Sequence, residues 1–388
     1  MKQVGIYVHI PFCKSKCQYC DFISFSGKQN LIDEYIECLR FEIREVGQGI
    51  KLDIQNKYVD NVEVATIYIG GGTPSYIDSK YIVQIMKDIY TNFKVKSDAE
   101  ITIEVNPGTV DKHKLLAYKE AGINRLSIGL QSVNNELLKM LGRIHTYEEF
   151  VETYKNAREV GFENINIDFI IGLPNQTMNN IVELIETVEE LRPEHISVYS
   201  LIVEEGTKIE EKIQNKELEL PAEELEREMY WAVKEKLEKL MFNHYEISNF
   251  ALKGKEAKHN LDCWNQKEYI GFGVAAHSYS DDARFSNIDE MEEYIKNTKE
   301  NKLENNFVFH EKQDKASKMK EYMLLGLRKL RGISCSEFET KFGKDVFEEF
   351  GNEIEKLMKQ ELIEIEEDYI KLSNKGIDLA NLVWEEFV

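Results

Sequence analysis

The sequence has 388 residues, which is enough for a large hydrophobic core and two or three domains. Hydrophobic residues make up 42% of the chain and charged residues 31%, a balance typical of a folded protein and not of a disordered one. The 49 Lys and Arg residues against 70 Asp and Glu residues give a formal net charge of −21. This charge repels a nucleic-acid backbone or an anionic membrane surface, so we expect no nucleic-acid partner.

Targeting signals and cysteine usage narrow the class of protein further. No run approaches the roughly 18 apolar residues of a membrane-spanning helix, and no signal-peptide pattern precedes the first cysteine. We therefore expect no transmembrane segment and a cytoplasmic location. Three of the six cysteines, Cys13, Cys17 and Cys20, lie within eight residues, which favours metal or redox chemistry over a disulfide framework.

Short apolar runs alternate with amphipathic stretches from residue 4 to about residue 201. This alternation is typical of successive βα units on a parallel sheet. It predicts strands at residues 5–10, 65–69, 100–105, 125–130, 165–170 and 195–202, and helices at residues 31–46, 81–93, 112–121, 147–160 and 178–191. Six parallel strands with helical crossovers fit an α/β fold, a partial (β/α)6 barrel that we assign to residues 1–240.

Two further regions follow the predicted barrel. Residues 241–300 are interpreted as a connecting segment with the motif HNLDCW, and residues 292–304 as a linker or surface helix. Residues 301–388 are predicted to form a C-terminal, mainly helical, winged-helix-like module, because helical patterns flank the hairpin-like LIEIEEDYIKL. From Ser334 onward this region has 15 acidic and 6 basic residues, so packing against the core or a protein contact is favoured over DNA binding.

The spacing CxxxCxxC of Cys13, Cys17 and Cys20 indicates a metal centre. Three thiolates on one loop can bind three corners of a cubane iron–sulfur cluster and leave one iron open to a substrate. A structural zinc site is the alternative, because zinc prefers four protein ligands and His9 can supply the fourth. Both metals accept thiolates, so spacing alone favours the cluster but leaves both open.

Glycine-rich and polar motifs follow the other predicted strands. The run GGGTP at residues 70–74 lets the backbone approach a ligand closely, since glycine has no side chain in the way. Glu104, Gln131, Arg143 and Asp168 lie on successive βα units and can bind an amine, a ribose and a carboxylate. Because function collects at the carboxyl ends of parallel strands, we interpret these residues as one binding site.

The motifs occur in the order YVHIPFCKSKCQYC, GGGTP, IEVNP, LQS and NIDFIIGLP. Together they resemble the radical S-adenosyl-L-methionine (SAM) superfamily, and within it the oxygen-independent coproporphyrinogen dehydrogenase group, over nearly the whole chain. The resemblance implies that Cys13, Cys17 and Cys20 hold a [4Fe-4S] cluster whose open iron takes the amino and carboxylate groups of SAM. It also implies reductive cleavage of SAM to a 5′-deoxyadenosyl radical.

The same resemblance implies which residues contact SAM. It places Tyr7 near the cluster-bound SAM, Tyr19 near its adenine, and the glycine-rich loop along its methionine end. Some of the group's further contacts serve a second SAM there. The corresponding positions in this sequence are Gly71, Gly72 and Thr73 for the loop, and Glu104, Gln131, Arg143 and Asp168 for the further contacts.

Two departures separate this sequence from the dehydrogenases. Their motif continues as CxxxCxxCxC, whereas Phe22 stands here in the place of the fourth cysteine. They also have a substantial N-terminal extension, whereas Tyr7 nearly begins this sequence. Both features resemble the HemW-like branch, whose members are understood as haem chaperones that bind haem and pass it to haem-requiring proteins. That branch has an HNxxYW motif, which HNLDCW matches except at Cys263.

The HNLDCW motif contains two candidate haem ligands. Imidazole and thiolate both serve as axial ligands of haem iron, and in a helix His259 and Cys263 share a face at i, i+4. We expect His259 to ligate haem, and Cys263 either shares the site or replaces a packing tyrosine. A hydrogen-bonded core histidine is the alternative. His277, in GVAAHS, matches a site near SAM in the family.

The predicted function is that of a haem chaperone that binds a [4Fe-4S] cluster and SAM and delivers haem to an acceptor protein. We expect a flavodoxin- or ferredoxin-type electron donor to reduce the cluster. One alternative is a coproporphyrinogen III dehydrogenase of porphyrin biosynthesis, against which Phe22 and the short N-terminal segment argue. Another is a zinc-stabilised interaction protein. The sequence assigns no catalytic residue and leaves SAM cleavage open.

Overall fold

All the strands and helices predicted for residues 4–201 are present, with bounds that differ by a few residues. The computed structural model describes residues 2–48 and 62–388, and none of the described helices is long and apolar enough to cross a membrane. The strands are β1 Lys2–Ile10, β2 Phe12–Cys13, β3 Phe25–Ser26, β4 Val62–Gly71, β5 Val95–Val105, β6 Arg125–Gln131, β7 Ile165–Ile171, β8 His195–Ser200, β9 Asn243–Glu246, β10 Asn249–Ala251, β11 Tyr269–Phe272, β12 His277–Ser280, β13 Ala283–Asn287, β14 Phe307–Lys312, β15 Ile333–Ser334, β16 Ile363–Glu366 and β17 Tyr369–Leu372. The α-helices are α1 Ile32–Gly47, α2 Ser79–Asn92, α3 Lys112–Glu120, α4 Asn135–Met140, α5 Tyr147–Val160, α6 Met178–Leu191, α7 Lys208–Gln214, α8 Glu223–Lys239, α9 Lys258–Trp264, α10 Met291–Lys299, α11 Lys315–Gly326, α12 Cys335–Phe342, α13 Val346–Lys359, α14 Asn374–Asp378 and α15 Ala380–Glu385.

One 12-stranded sheet runs through most of the described chain, in the order β14-β13-β12-β11-β1-β4-β5-β6-β7-β8-β10-β9. Its centre is the predicted partial barrel, in which β1, β4, β5, β6, β7 and β8 pair in parallel. A strand that the sequence did not predict, β11, adds to this parallel part beside β1. On the other side, β10 pairs antiparallel with β8, so the parallel part of the sheet ends at β8. The predicted α/β class is confirmed.

Alternation along the barrel strands separates a packed face from a polar face. In β1, Ile6 and Val8 are fully buried in the main hydrophobic core, whereas Tyr7 and His9 project from the opposite face. Tyr7 pairs in register with Tyr68 of β4, and the two rings stack with centroids 6.3 Å apart. The apolar face therefore packs against the surrounding helices, and the polar face is left for a site.

Helix bounds follow local capping chemistry. The hydroxyl of Thr146 accepts a hydrogen bond from the Glu149 N–H, and the Glu149 carboxylate accepts one from the Thr146 N–H, which starts α5. Gly161, with a φ of 95°, ends the same helix in the left-handed conformation that glycine adopts without strain. These two signals explain why the predicted helix 147–160 agrees with Tyr147–Val160.

The C-terminal region has the order of a winged helix. Helix α11, strand β15, helices α12 and α13, and strands β16 and β17 follow one another, and the strands form a separate sheet in the order β15-β17-β16. This agrees with the predicted winged-helix-like module. Strand β14 pairs with β13 in the large sheet although it lies in the predicted third domain, so the boundary between residues 300 and 301 stays a prediction. Residues 292–304, predicted to be a linker or a surface helix, are mostly helix α10.

The buried carboxylate of Glu42 attaches α1 to the antiparallel part of the sheet. It accepts hydrogen bonds from the Gly273 N–H at 2.9 Å, the Asn287 side-chain amide at 2.9 Å and the Tyr294 hydroxyl at 2.7 Å. Glu42 is fully buried, and these donors replace the water that the carboxylate loses on folding. The network therefore determines how β11 and β13 sit against the barrel.

Replacing Glu42 with Ala is expected to lower the free energy of unfolding by about 2–4 kcal/mol, because several buried donors lose their acceptor at once. Urea unfolding followed by circular dichroism measures this. The control is Glu37→Ala, an exposed position on the same helix, which should change stability by no more than about 0.5 kcal/mol. Equal losses in the two variants would contradict the anchoring role of Glu42.

Candidate functional site

The loop with the three clustered cysteines lies at the carboxyl end of β1. Cys13 is buried, Cys17 and Cys20 are partly exposed, and all three are free. The Cys13 Sγ lies 3.4 Å from the Thr73 Oγ1, with which it shares a hydrogen bond, and the Cys17 Sγ accepts one at 3.5 Å from the guanidinium of Arg143. The cysteine loop is therefore attached to the segments that follow β4 and β6.

The triple-glycine loop after β4 packs against the start of the cysteine loop. The Gly72 N–H donates to the Ile10 carbonyl at 2.9 Å, and a Cβ on Gly72 would lie 2.9 Å from the carbonyl carbon of Pro11. Gly71 has a φ of 111°, and a Cβ there would lie 2.4 Å from the ring of His9. Both positions require glycine, because any side chain would push the two loops apart.

The guanidinium of Arg143 lies at the centre of the site, with its Nε buried and the rest of the residue partly buried. It donates to the Cys17 Sγ at 3.5 Å, to the Asn106 Oδ1 at 3.0 Å and to the Gly129 carbonyl at 2.7 Å. Among the described residues no carboxylate forms an ion pair with it, and its Nε has no hydrogen-bond partner. Burial lowers the pKa of Arg143, but Tyr19 and Cys17 outweigh burial, so the net pKa is raised. A partly buried cation with an unused donor suits a site for an anionic cluster or a carboxylate ligand.

The thiols of the cysteine loop require a metal to ionise, and His9 is not placed to complete a zinc site among them. Burial raises the pKa of Cys13, and that of Cys20 to about 11, so the thiolates need a metal beside them to form at neutral pH. Both ring nitrogens of His9 are engaged, with the Tyr7 hydroxyl and the Ile23 carbonyl, each at 2.9 Å. His9 is therefore not free to complete a zinc site.

Glu104, at the end of β5, is a partly buried carboxylate that faces the glycine loop. Its oxygens accept hydrogen bonds from the Tyr68 hydroxyl at 2.9 Å and from the Gly71 N–H at 3.1 Å. Burial raises the pKa of Glu104 to about 7, and the nearby negative charge of Asp168 adds to the effect. The group thus changes charge near neutral pH, and a cationic amine bound beside it would favour the carboxylate form.

Asp168 in β7 is a second partly buried carboxylate on the polar face. It accepts hydrogen bonds from the Asn166 side-chain amide at 2.7 Å and from the Ser127 hydroxyl at 3.2 Å. Burial raises its pKa, against the opposing effect of these and other donors. These hydrogen bonds thus satisfy part of the hydrogen-bonding capacity of the Asp168 carboxylate and hold its side chain in place on β7.

Gln131 and Tyr19 complete the set of predicted SAM-contacting residues. Gln131 has a φ of 73°, and a Cβ built on Gly129 would lie 2.8 Å from the Gln131 Nε2 and 3.1 Å from the Arg143 Nη2. The two predicted side chains therefore meet above Gly129. Tyr19 packs against an apolar cluster that includes Leu141. The structure brings these residues to the same end of the barrel as the cysteine loop.

His259 lies deeper in the barrel, on helix α9, which confirms that the HNLDCW motif is helical. Its Nδ1 lies 2.9 Å from the Thr66 hydroxyl, and its ring stacks on Tyr68 with centroids 5.4 Å apart. Burial lowers the pKa of His259 to about 4, so the imidazole is neutral. Cys263 is partly buried, and burial raises its pKa to about 12. The haem-ligand roles of His259 and Cys263 stay predictions.

Sequence reasoning missed two polar residues of the site, Asn106 and His145. The Asn106 Oδ1 accepts from Arg143 at 3.0 Å and lies 3.1 Å from the His145 Nδ1. Burial, together with the charge of Arg143, lowers the pKa of His145 to about 3. Asn106 belongs to the quoted motif IEVNP, so its place at a strand end was the available signal, whereas nothing in the sequence singles out His145.

Comparison with known proteins assigns the family. A family model described as the Radical SAM superfamily matches residues 7–188, and one described as the HemN C-terminal domain matches residues 313–379. The Heme chaperone HemW of Bacillus subtilis (strain 168) is 37% identical over 389 residues, which cover 98% of this chain and 98% of that relative. The chain belongs to the HemW family. Heme chaperone HemW of Lactococcus lactis subsp. lactis (strain IL1403) is 35% identical, with 100% of this chain and 98% of the relative covered.

A solved structure supports the fold of this HemW-family chain. Coproporphyrinogen III oxidase (HemN) from Escherichia coli, a radical SAM enzyme, matches with a TM-score of 0.82 and 24% identity, covering 100% of this chain and 90% of that chain. At this identity the match shows the fold alone. Membership of the radical SAM superfamily gives the chain a [4Fe-4S] cluster and SAM as cofactors, which confirms the predicted cofactors and removes the zinc alternative.

Replacing Gly71 with Ala is expected to weaken SAM binding by at least roughly tenfold, because the added Cβ collides with His9 and separates the glycine loop from the cysteine loop. Equilibrium dialysis of SAM with the anaerobically reconstituted protein measures this, with iron content as a check on the cluster. Gly161→Ala is the matched control, since Gly161 also has a positive φ but open space around it. Similar SAM binding by the two variants would contradict the proposed role of the glycine loop.

The charge of Glu104 is expected to make SAM binding depend on pH. Since its pKa is raised to about 7, the group is mainly neutral below that pH and mainly a carboxylate above it, and we expect only the carboxylate to attract the SAM amine. Affinity should fall by up to roughly tenfold per pH unit below the pKa. Glu104→Gln should bind SAM weakly with a flat profile, while exposed Glu120→Gln keeps the wild-type profile. If Glu104→Gln kept the wild-type dependence of SAM affinity on pH, Glu104 could not be the source of that dependence.

Proposed function

We propose that this protein is a haem chaperone that binds haem and delivers it to haem-requiring acceptor proteins. The observation that carries the proposal is the similarity to the Heme chaperone HemW of Bacillus subtilis, at 37% identity over 98% of both chains. The chain also retains Phe22, which is 64% exposed, where the dehydrogenase motif has a further cysteine. Haem is therefore cargo, and the cluster and SAM are the resident cofactors.

The residues at the barrel mouth have distinct proposed roles toward these cofactors. Cys13, Cys17 and Cys20 hold the cluster, and Arg143 offsets its negative charge from beside Cys17. When bound, the cluster and SAM supply one-electron reductive chemistry. Glu104 holds the SAM amine. The remaining proposed SAM contacts are Tyr7, Tyr19, Gly71, Gly72, Thr73, Gln131 and Asp168.

The proposed partners follow from the cofactors and the cargo. A flavodoxin- or ferredoxin-type protein supplies electrons to the cluster, because reductive chemistry at an iron–sulfur cluster needs a one-electron donor. Free thiols and an open cluster site require reducing conditions, which supports the cytoplasm as the place of action. A haem protein receives the cargo.

The test loads the anaerobically reconstituted protein with haem and mixes it with the haem-free form of a haem enzyme. Recovery of the acceptor's activity and transfer of the Soret band are expected for the wild type. Coproporphyrinogen III consumption is measured on the same preparation. Porphyrinogen turnover without haem transfer would overturn the proposal in favour of the dehydrogenase.

Cysteine variants show whether the cluster serves the transfer. Cys17→Ser should lose the greater part of the cluster iron and sulfide, because one of three protein ligands is gone. Cys335→Ser is the matched control, a partly buried free cysteine outside the cluster loop, and should keep the cluster. Iron and sulfide content are measured before transfer. Full cluster content in Cys17→Ser would show that the ligand assignment is wrong.

A further inference from the structure

A row of buried polar side chains from β7, β8 and β9 leads away from the carboxylate of Asp168. Asn166 stands two residues before Asp168 on β7 and pairs in register with His195 of β8. Because side chains alternate along a strand, Asn166 and Asp168 project from the same face. Tyr245 of β9 contacts His195 with ring centroids 5.7 Å apart. Asn166, His195 and Tyr245 are 2%, 1% and 8% exposed, so they depend on one another for hydrogen bonds.

Hydrogen bonds join these side chains end to end. The Asn166 Nδ2 donates to the Asp168 Oδ1 at 2.7 Å, and the Asn166 Oδ1 lies 2.7 Å from the His195 Nδ1. The His195 Nε2 lies 2.8 Å from the Tyr245 hydroxyl, which accepts a hydrogen bond at 3.2 Å from the Ala257 N–H. Ala257 is the N-cap of α9, the helix that carries the HNLDCW motif. The hydrogen bonds thus run from a proposed SAM contact to the start of that helix.

The chemistry of the partners gives these hydrogen bonds one direction. An amide oxygen can only accept, so the Asn166 Oδ1 requires a proton on the His195 Nδ1. Burial lowers the pKa of His195 well below its usual value, and the charge of Arg125 adds to the effect, so the ring is neutral. Its Nε2 therefore accepts from the Tyr245 hydroxyl, whose oxygen accepts from the backbone N–H at the start of α9. Every donor points toward the Asp168 carboxylate.

Two serines complete the network around Asn166. Its Nδ2 also donates to the Ser127 hydroxyl at 2.8 Å, which donates to the Asp168 Oδ2 at 3.2 Å. The Ser197 hydroxyl donates to the Asn166 Oδ1 at 3.1 Å. In the described part of the chain, no buried side-chain nitrogen or oxygen of these residues lacks a partner. A fully paired buried network holds its members in one arrangement, and each carboxylate oxygen of Asp168 keeps further acceptor capacity for a ligand.

We propose that Asn166, His195 and Tyr245 are positioning residues for SAM binding, which hold the Asp168 carboxylate in the orientation that contacts SAM. The inference rests on the proposed function, in which Asp168 is a SAM contact, and deepens it. A carboxylate that is already oriented by fixed donors pays less conformational entropy when a ligand binds. Because the last donor is the backbone of α9, the SAM site and the helix with the HNLDCW motif share one set of contacts.

The test is SAM binding to the anaerobically reconstituted protein, measured by equilibrium dialysis with iron content as a check on the cluster. His195→Leu should weaken SAM binding at least roughly fivefold, because Asn166 loses a donor and is free to reorient. Asn has nearly the shape of Leu, but its amide can donate in place of the Nδ1–H, so His195→Asn should keep most of the affinity. His244→Leu is the matched control, since His244 is a buried histidine of β9 outside this network, and should bind SAM as the wild type does.

A double-mutant cycle separates positioning from general damage to the fold. In an Asp168→Asn background, His195→Leu should cause no more than roughly a twofold further loss of SAM affinity, because the carboxylate on which His195 acts is gone. A full further loss would overturn the proposal, as would wild-type SAM binding by His195→Leu in the native background. Tyr245→Phe, which removes only the hydroxyl, should show the same pattern on a smaller scale and replaces His195→Leu if that variant does not fold.

Two other outcomes concern the proposed function and are distinct from these. Wild-type SAM binding by Asp168→Asn would overturn the SAM contact itself, and the positioning role with it. Haem transfer is measured on the same preparations of the wild type. Its absence, together with the expected pattern of SAM binding, would overturn the chaperone function and support the positioning role.

Discussion

The guanidinium of Arg143 joins the parts of the site that lie far apart in the chain. Its partners are the Cys17 thiol, the Asn106 side chain and the Gly129 carbonyl, which are 126, 37 and 14 residues away in sequence. A buried cation is costly to keep unless charges or strong acceptors surround it. Since no carboxylate pairs with it in the described chain, negatively charged cluster ligands are the partners that best offset its charge. The guanidinium of Arg143 thus holds the cysteine loop against the ends of β5 and β6.

On the polar face of the barrel, below Arg143, lie two carboxylates and one imidazole. Glu104 and Asp168 are partly buried carboxylates whose pKa values are raised by desolvation, and His259 is a buried imidazole whose pKa is lowered by it. Burial shifts each of these three groups toward its neutral form. A cationic ligand at Glu104 would change this balance, so ligand binding and proton release are coupled at the mouth. The Tyr68 ring connects the two levels, with its hydroxyl on Glu104 and its face on His259.

The antiparallel extension of the sheet gives the barrel a second wall. Because β11 pairs in parallel with β1, the strands that follow it are carried beside the cluster loop and do not close the barrel. The carboxylate of Glu42 holds this extension through Gly273, Asn287 and Tyr294. The open side that results carries a cavity of about 680 Å³ next to the cysteine loop, and the stacked rings of His277 and His310 line it.

The sequence by itself determined the barrel strands, their helices and the end of the barrel at which the site lies. Apolar periodicity and capping signals such as Thr146 and Gly161 act within a few residues, and the carboxyl ends of parallel strands must meet on one side. The cysteine spacing and the motif order identified the family for the same local reason. Only the tertiary structure decided that Asn106 joins Arg143, that His259 stacks beneath Tyr68, and that residues 277 and 310 form a pair. These contacts depend on how β11 to β14 add to the sheet, and no local pattern encodes pairing between segments so far apart in the chain.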